Sequence, residues 1–144
     1  MGSGSKEKEL KELVSSLGLD QHTLFTGSVP HDKVCQSLNM LDVYVALSNM
    51  ESFGVAVLEA SSCEIPVVVS RVGGLPEVVD NGSTGFVVNS KDEKDACEAI
   101  SKLVNDSELR IKMGKSGRAR VLEKYDWKVN VDNMLHVYQQ VLSS

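Results

Sequence analysis

Asp42-Val-Tyr-Val-Ala-Leu-Ser-Asn-Met-Glu-Ser-Phe-Gly-Val-Ala-Val-Leu-Glu59 carries the chain from a strand, through a loop, into a helix. Val43–Leu47 is short, uncharged and rich in branched side chains, the pattern of a strand buried on both faces. Gly54 permits a tight turn, and Val55–Ser62 can wind as a helix. A strand that delivers a loop into a helix N-terminus aims several free N–H groups at one spot beyond the carboxyl edge of a sheet. Such a spot attracts phosphates and hydroxyls. Two carboxylates bracket the turn, Glu51 in the loop and Glu59 in the helix. The neighbours of Glu59, namely Val55, Ala56, Val57, Leu58 and Ala60, are apolar, so its ionised side chain is expected to be buried and to need a partner.

Reading outward, Lys6–Leu17 places Leu10, Leu13, Val14 and Leu17 at helical spacing, and Gly18 stops the helix. Thr23–Val29 reads as a strand with Gly27 near its end. Pro30 opens a helix that continues over His31–Leu41, with Val34, Leu38 and Leu41 on one face. After the central helix, Ile65-Pro-Val-Val-Val-Ser70 is a buried strand with proline at its start, where proline is tolerated. Val72–Asp80 is a glycine-rich loop leading into one helical turn, Asn81-Gly82 marks a turn, and Gly85–Asn89 is a last short strand. Helices then follow over Asp92–Val104, Asp106–Lys124 and Asp126–Leu142, with Asp106 and Asp126 as N-caps and Trp127 packed at the head of the last. Strands alternating with helices predict an α/β, Rossmann-like three-layer sandwich with a mostly parallel sheet and a helical tail. Right-handed crossovers would bring the loops after Gly27, Leu47 and Ser70 to one edge, where such folds bind ligands.

The length of 144 residues predicts one domain, and a formal charge of −5 argues against a nucleic-acid or anionic-membrane surface. Met1–Ser5 reads as a linker outside the fold, which leaves 6–144 as the folded part. Cys35, Cys63 and Cys97 are odd in number and widely spaced, with no Cys-x-x-Cys pair. They are expected to be reduced, mostly buried side chains of a cytosolic protein rather than a disulfide frame or zinc site.

No nucleophile–base arrangement is apparent. His22, His31 and His136 fall in a loop, at a helix start and in a late helix, as exposed or capping groups. Lys115, Arg118 and Arg120 read as a solvated basic face. A loop position for Glu51 and a helix position for Glu59 favour two separate hydrogen-bonding roles over a shared glycosidase-like pair. Carboxylates accept hydrogen bonds from vicinal hydroxyls, so sugars and riboses suit both. A solvated loop residue at 51 and a helix salt bridge at 59 stay open as plainer readings. Gly73 and Gly74 lack Cβ atoms and can approach a ligand or simply turn the chain.

Glu51-Ser-Phe-Gly-Val-Ala-Val-Leu-Glu59 resembles the E-x7-E motif of retaining GT-B glycosyltransferases of group 1. Phe25-Thr-Gly-Ser-Val-Pro30, Asp42-Val-Tyr-Val45, the run from Pro66 to Val79, Gly82–Val88 and Tyr125-Asp-Trp127 are similar to the family's other motifs in order and spacing. The likeness covers nearly everything from Lys6 to Leu142. It implies the nucleotide-sugar-binding domain of an enzyme that transfers a hexose from a UDP- or GDP-sugar to a glycan or lipid. By motif, Glu59 would hold the ribose hydroxyls and Glu51, the one catalytic assignment, would face the donor sugar. The backbone of Ser52, Phe53, Gly54 and Val55 would meet the sugar and diphosphate. Gly27, Ser28 and Val29 would border the base, with Gly73 and Gly74 as further loop contacts. The family needs no metal, and no cofactor is expected beyond the nucleotide sugar as substrate.

The resemblance also implies parts not found in this sequence: the N-terminal acceptor domain and the first strands of the donor domain, with their diphosphate-binding arginine and lysine. The strand at Thr23–Thr26 is therefore expected to shift inward onto Val43–Leu47 in a sheet of about four strands, or two chains to complete each other as a homodimer. The chain by itself is expected to bind nucleotide weakly and to transfer nothing. Its setting would be the cytoplasm, with a peripheral membrane association left open for the full-length enzyme. Leu47 stands where the family has proline, and Glu64 where glycine ends the central helix, which predicts a strained or rebuilt left-handed position. The competing reading is a Rossmann-like fragment that binds no ligand. Sugar-nucleotide epimerases, which share the architecture, fit the Ser-Phe-Gly and Gly-Gly-Leu-Pro-Glu motifs less well.

Overall fold

A computed structural model describes residues 2–143. Helices and strands alternate as Glu7–Ser16 (α1), His31–Leu38 (α2), Tyr44–Ala46 (β1), Val55–Ser62 (α3), Val67–Ser70 (β2), Leu75–Val78 (α4), Gly85–Val88 (β3), Glu93–Asn105 (α5), Ser107–Lys124 (α6) and Trp127–Leu142 (α7). The residues up to Ser37 make one compact unit and those from Leu38 onward a second.

The second unit holds the sheet. Its strands run parallel in the order β1-β2-β3, with Tyr44 opposite Val67 and Val69 opposite Val87. Val67, Val68 and Val69 have no accessible surface. Successive strand residues face opposite ways, so total burial of all three shows that β2 is covered on both faces. On the Val68 face lie Val88, Ala96, Ala99 and Leu103, with Met113 of α6 closing the cluster. The helices α5 and α3 both pack against β2 and against α6. Glycine lets α6 come close: a Cβ at Gly114 would stand 1.9 Å from the Glu64 carbonyl oxygen.

The N-caps expected at Asp106 and Asp126 are made, Asp106 to the Leu109 amide and Asp126 to those of Lys128 and Val129. Glu64 does sit in the left-handed region, at φ 61°. The amide at 64 still donates to the Ser61 carbonyl, so the helix end keeps its geometry without the favoured glycine.

Several expectations are corrected. Thr23–Val29 forms no strand, and β1 pairs with β2 alone, so the sheet of described residues has three strands rather than four. An extended segment becomes a strand only when a neighbour accepts its ladder, and none does so here. The first unit instead holds its extended segment by local contacts. Lys11 Nζ lies 5.4 Å from the centre of the Phe25 ring, the Gly2 amide donates to the Gly27 carbonyl, and the Ser3 and Ser28 hydroxyls bond at 2.9 Å.

Trp127 is 82% exposed rather than packed, and α7 has no buried residue. Cys35 and Cys97 are exposed and Cys63 is half-buried, where buried side chains were expected. Arg118 and Arg120 are tethers rather than a solvated face: Arg118 donates to the Ser62 carbonyl and Arg120 to those of Glu77 and Val78. Their helical spacing is that of a solvated face, and only the packing of α6 reveals the carbonyls they meet. His22, His31 and His136 are exposed, as read.

Candidate functional site

The parallel strands bring the loops after Ala46, Ser70 and Val88 to one edge of the sheet. The Ser70 hydroxyl donates to the Ser48 carbonyl at 2.6 Å, joining the first two loops. Gly27, Ser28 and Val29 belong to the other compact unit.

The turn into α3 is built by three glycines. Gly54 is its N-cap, at φ 96°, and no side chain caps the helix. The Val55 and Ala56 amides thus keep their hydrogens for an external acceptor, while that of Val57 donates back to the Gly54 carbonyl at 3.0 Å. A Cβ on Gly54 would lie 2.6 Å from Leu75 Cδ2. Gly73, at φ 49°, would bring its Cβ to 1.6 Å from the Glu51 carbonyl oxygen, and Gly74 to 2.7 Å from that of Ser52. The glycine pair is thus required by the backbone of the neighbouring loop, whatever ligand also comes near. Ser52, Phe53 and Val55 are exposed at the mouth of the turn.

Glu51 is half-buried, and its Oε1 accepts from the Phe53 amide at a long 3.4 Å, folding the loop over its own side chain. Glu59 is half-buried too, which corrects the expected burial. Its neighbours Val55 and Ala56 are exposed, so the helix presents an open side there. Apolar letters alone do not show which side of a helix is covered. No hydrogen bond or ion pair is made by the Glu59 carboxylate among the described residues. The plainer reading of a helix salt bridge is therefore not what is found.

Tyr44, on β1, links the two carboxylates. Burial pushes its phenol above the ordinary 10.0, and the charges of Glu59 and then Glu51 push it further the same way. Both acids thus lie within electrostatic reach of one half-buried hydroxyl. Sequence reasoning missed Tyr44 as a site residue. Its signal was the strand alternation, which puts 44 and 46 on one face, combined with the helix that follows. Arg120 of α6 and Tyr125 just beyond it, whose side chains donate to the carbonyls that end α4, were missed in the same way.

The turn offers unpaired amides at a helix N-terminus and, on the loop and helix it joins, the carboxylates of Glu51 and Glu59, a set suited to an anion carrying neighbouring hydroxyls. The model of the family described as "Glycosyl transferases group 1" matches residues 1–120. N-acetyl-alpha-D-glucosaminyl L-malate synthase of Bacillus anthracis is 34% identical over 142 residues, 99% of this chain and 37% of that protein. Sucrose-phosphate synthase from Thermosynechococcus elongatus superposes with a TM-score of 0.87 at 29% identity, over 97% of this chain and 35% of that one. Anabaena HepE, solved in complex with UDP-glucose, shares the fold with a TM-score of 0.84 at 22% identity, over 96% of this chain and 39% of its own. The chain thus spans little more than a third of the curated relative. With the motif, the parallel sheet and these likenesses agreeing, the chain belongs to the group 1 glycosyl transferases.

Proposed function

We propose that this chain is the donor-binding part of a retaining glycosyltransferase that moves a hexose from a UDP- or GDP-sugar to a glycan or lipid acceptor. The observation that carries the reading is the uncapped N-terminus of α3, flanked by Glu51 and Glu59. The diphosphate would accept from the Ser52–Val55 backbone at the positive end of the helix, and the Glu59 carboxylate would accept from the ribose hydroxyls. Glu51 would meet the donor sugar where the bond to the leaving diphosphate breaks. Gly73 and Gly74 would support the sugar-binding loop. The reaction read in this way needs no metal: helix dipole and basic groups stabilise the leaving diphosphate. UDP-glucose in the HepE complex belongs to that protein, and it supports this class of ligand.

Transfer would require an acceptor domain in addition, so this chain by itself is inactive in the proposal. A cytoplasmic setting is likewise part of the proposal; no helix of the described residues is long and apolar enough to cross a membrane. A second copy pairing at the β1 edge would complete the sheet, and sedimentation reads it directly. Calorimetric titration with UDP and GDP tests the site. Glu59→Ala is expected to weaken binding by about 10- to 100-fold, the worth of charge-assisted hydrogen bonds. Affinity unchanged by that substitution removes the ribose role.

One observation favours a second reading, a Rossmann-like unit without a ligand: Val45 of the edge strand is 42% exposed, as in a sheet lacking a neighbour. Flat titrations with every nucleoside diphosphate would select it.

A further inference from the structure

The last turn of α6 lies far along the chain from the donor loop, yet a continuous set of contacts joins them. Arg120 donates from Nε to the Val78 carbonyl at 2.9 Å and from Nη2 to that of Glu77 at 2.7 Å. Tyr125 Oη donates to the same Glu77 carbonyl at 3.3 Å. Three donors therefore serve the two carbonyls that end α4, groups a short helix leaves without internal partners. The start of α4 is equally constrained. Leu75 is fully buried with its Cδ2 against Gly54, and Gly73 and Gly74 press on the carbonyls of Glu51 and Ser52. The Tyr125 ring then reaches the loop itself, edge-on to Phe53 with centroids 5.9 Å apart and planes at 69°.

We propose that Arg120 and Tyr125 are positioning residues for the Glu51–Gly54 loop. Holding α4 from behind and Phe53 from the side, they fix the α3 amides in the geometry that receives the diphosphate. The inference rests on the reading of that loop as the donor site. It assigns a task to Tyr125 that the site residues leave unexplained. A helix end far from the ligand would set affinity through the loop, because a backbone anion site works only while its N–H groups stay aligned.

Amide hydrogen exchange on the full chain provides a readout that needs no ligand. Tyr125→Leu and Arg120→Met are expected to speed exchange at the Val57 and Leu58 amides, which close the turn onto the Gly54 carbonyl, by about three- to tenfold, the scale of one aromatic or hydrogen-bond contact. Tyr125→Phe, which keeps the ring, should restore most of the protection. Arg118→Met removes a comparable tether, from α6 to the Ser62 carbonyl, and should leave the Val57 and Leu58 amides unchanged. Equal acceleration by Arg118→Met, or none by Tyr125→Leu, overturns the proposal. In the calorimeter, UDP affinity should fall by a similar factor in Tyr125→Leu and recover in Tyr125→Phe. If the unaltered chain takes up neither UDP nor GDP, the donor-site reading fails, while the exchange result still decides whether the loop is held.

Discussion

Between Glu51 and Glu59 the polypeptide turns from loop to helix, and Tyr44 answers both charges from the strand beneath. Because burial and the two carboxylates hold its proton more tightly than the unfolded chain does, its contribution to stability is complete below pH 10.0 and is lost as pH rises through the raised value. Urea unfolding between about pH 9 and about pH 12 should show a steeper loss of stability for the unaltered chain than for Tyr44→Phe. Equal slopes would place the phenol outside that field. Glu64 offers a second residue-scale test. Its φ of 61° is strained for a side chain with a Cβ, and its ion pair with Arg118, at 3.7 Å, joins groups that are both about half exposed. Such a pair is worth little, so Glu64→Gly should stabilise the fold by about 1 kcal/mol, read by chemical denaturation. The sequence shows the departure from glycine at 64 plainly. The company kept by Tyr44 is hidden there, since nothing in Asp42-Val-Tyr-Val45 says what lies above the strand.

At the scale of elements, local chemistry and burial separate cleanly. Val55–Ser62 forms the helix expected of it, bounded by Gly54, and Asp106 caps α6 through the Leu109 amide at 2.9 Å. Asp106→Ala should cost about 1 kcal/mol, the usual worth of an N-cap, with the loss confined to the first turn of α6. Leu103, by contrast, is fully buried between α5 and the sheet. Leu103→Ala should cost about 2–5 kcal/mol in the same assay, and a smaller loss would mean that the site collapses around the missing atoms. Caps and glycine stops act over three or four residues and are therefore legible in the chain. Thr23–Val29 has strand-like letters as well, but a strand also needs a ladder partner, and among the described residues none pairs with it.

For the molecule as a whole, cover is uneven. The strands β2 and β3 are almost wholly buried, while α1 and α7 have no buried residue. Amides of Val67–Ser70 should therefore exchange only through global unfolding, and those of α1 and α7 orders of magnitude faster through local opening. Uniform protection across the chain would contradict this. What the sequence by itself determined is the class of fold, the bounds of most helices and the Glu51–Glu59 motif, because periodicity, glycine and capping act between near neighbours. Which of those elements gained a partner was decided only by the tertiary structure. The half-burial of Glu59, the tethers of Arg118 and Arg120, the exposure of Trp127 and the missing fourth strand all depend on residues far away in the chain. Burial belongs to a pair of surfaces, and one segment's letters describe only its own.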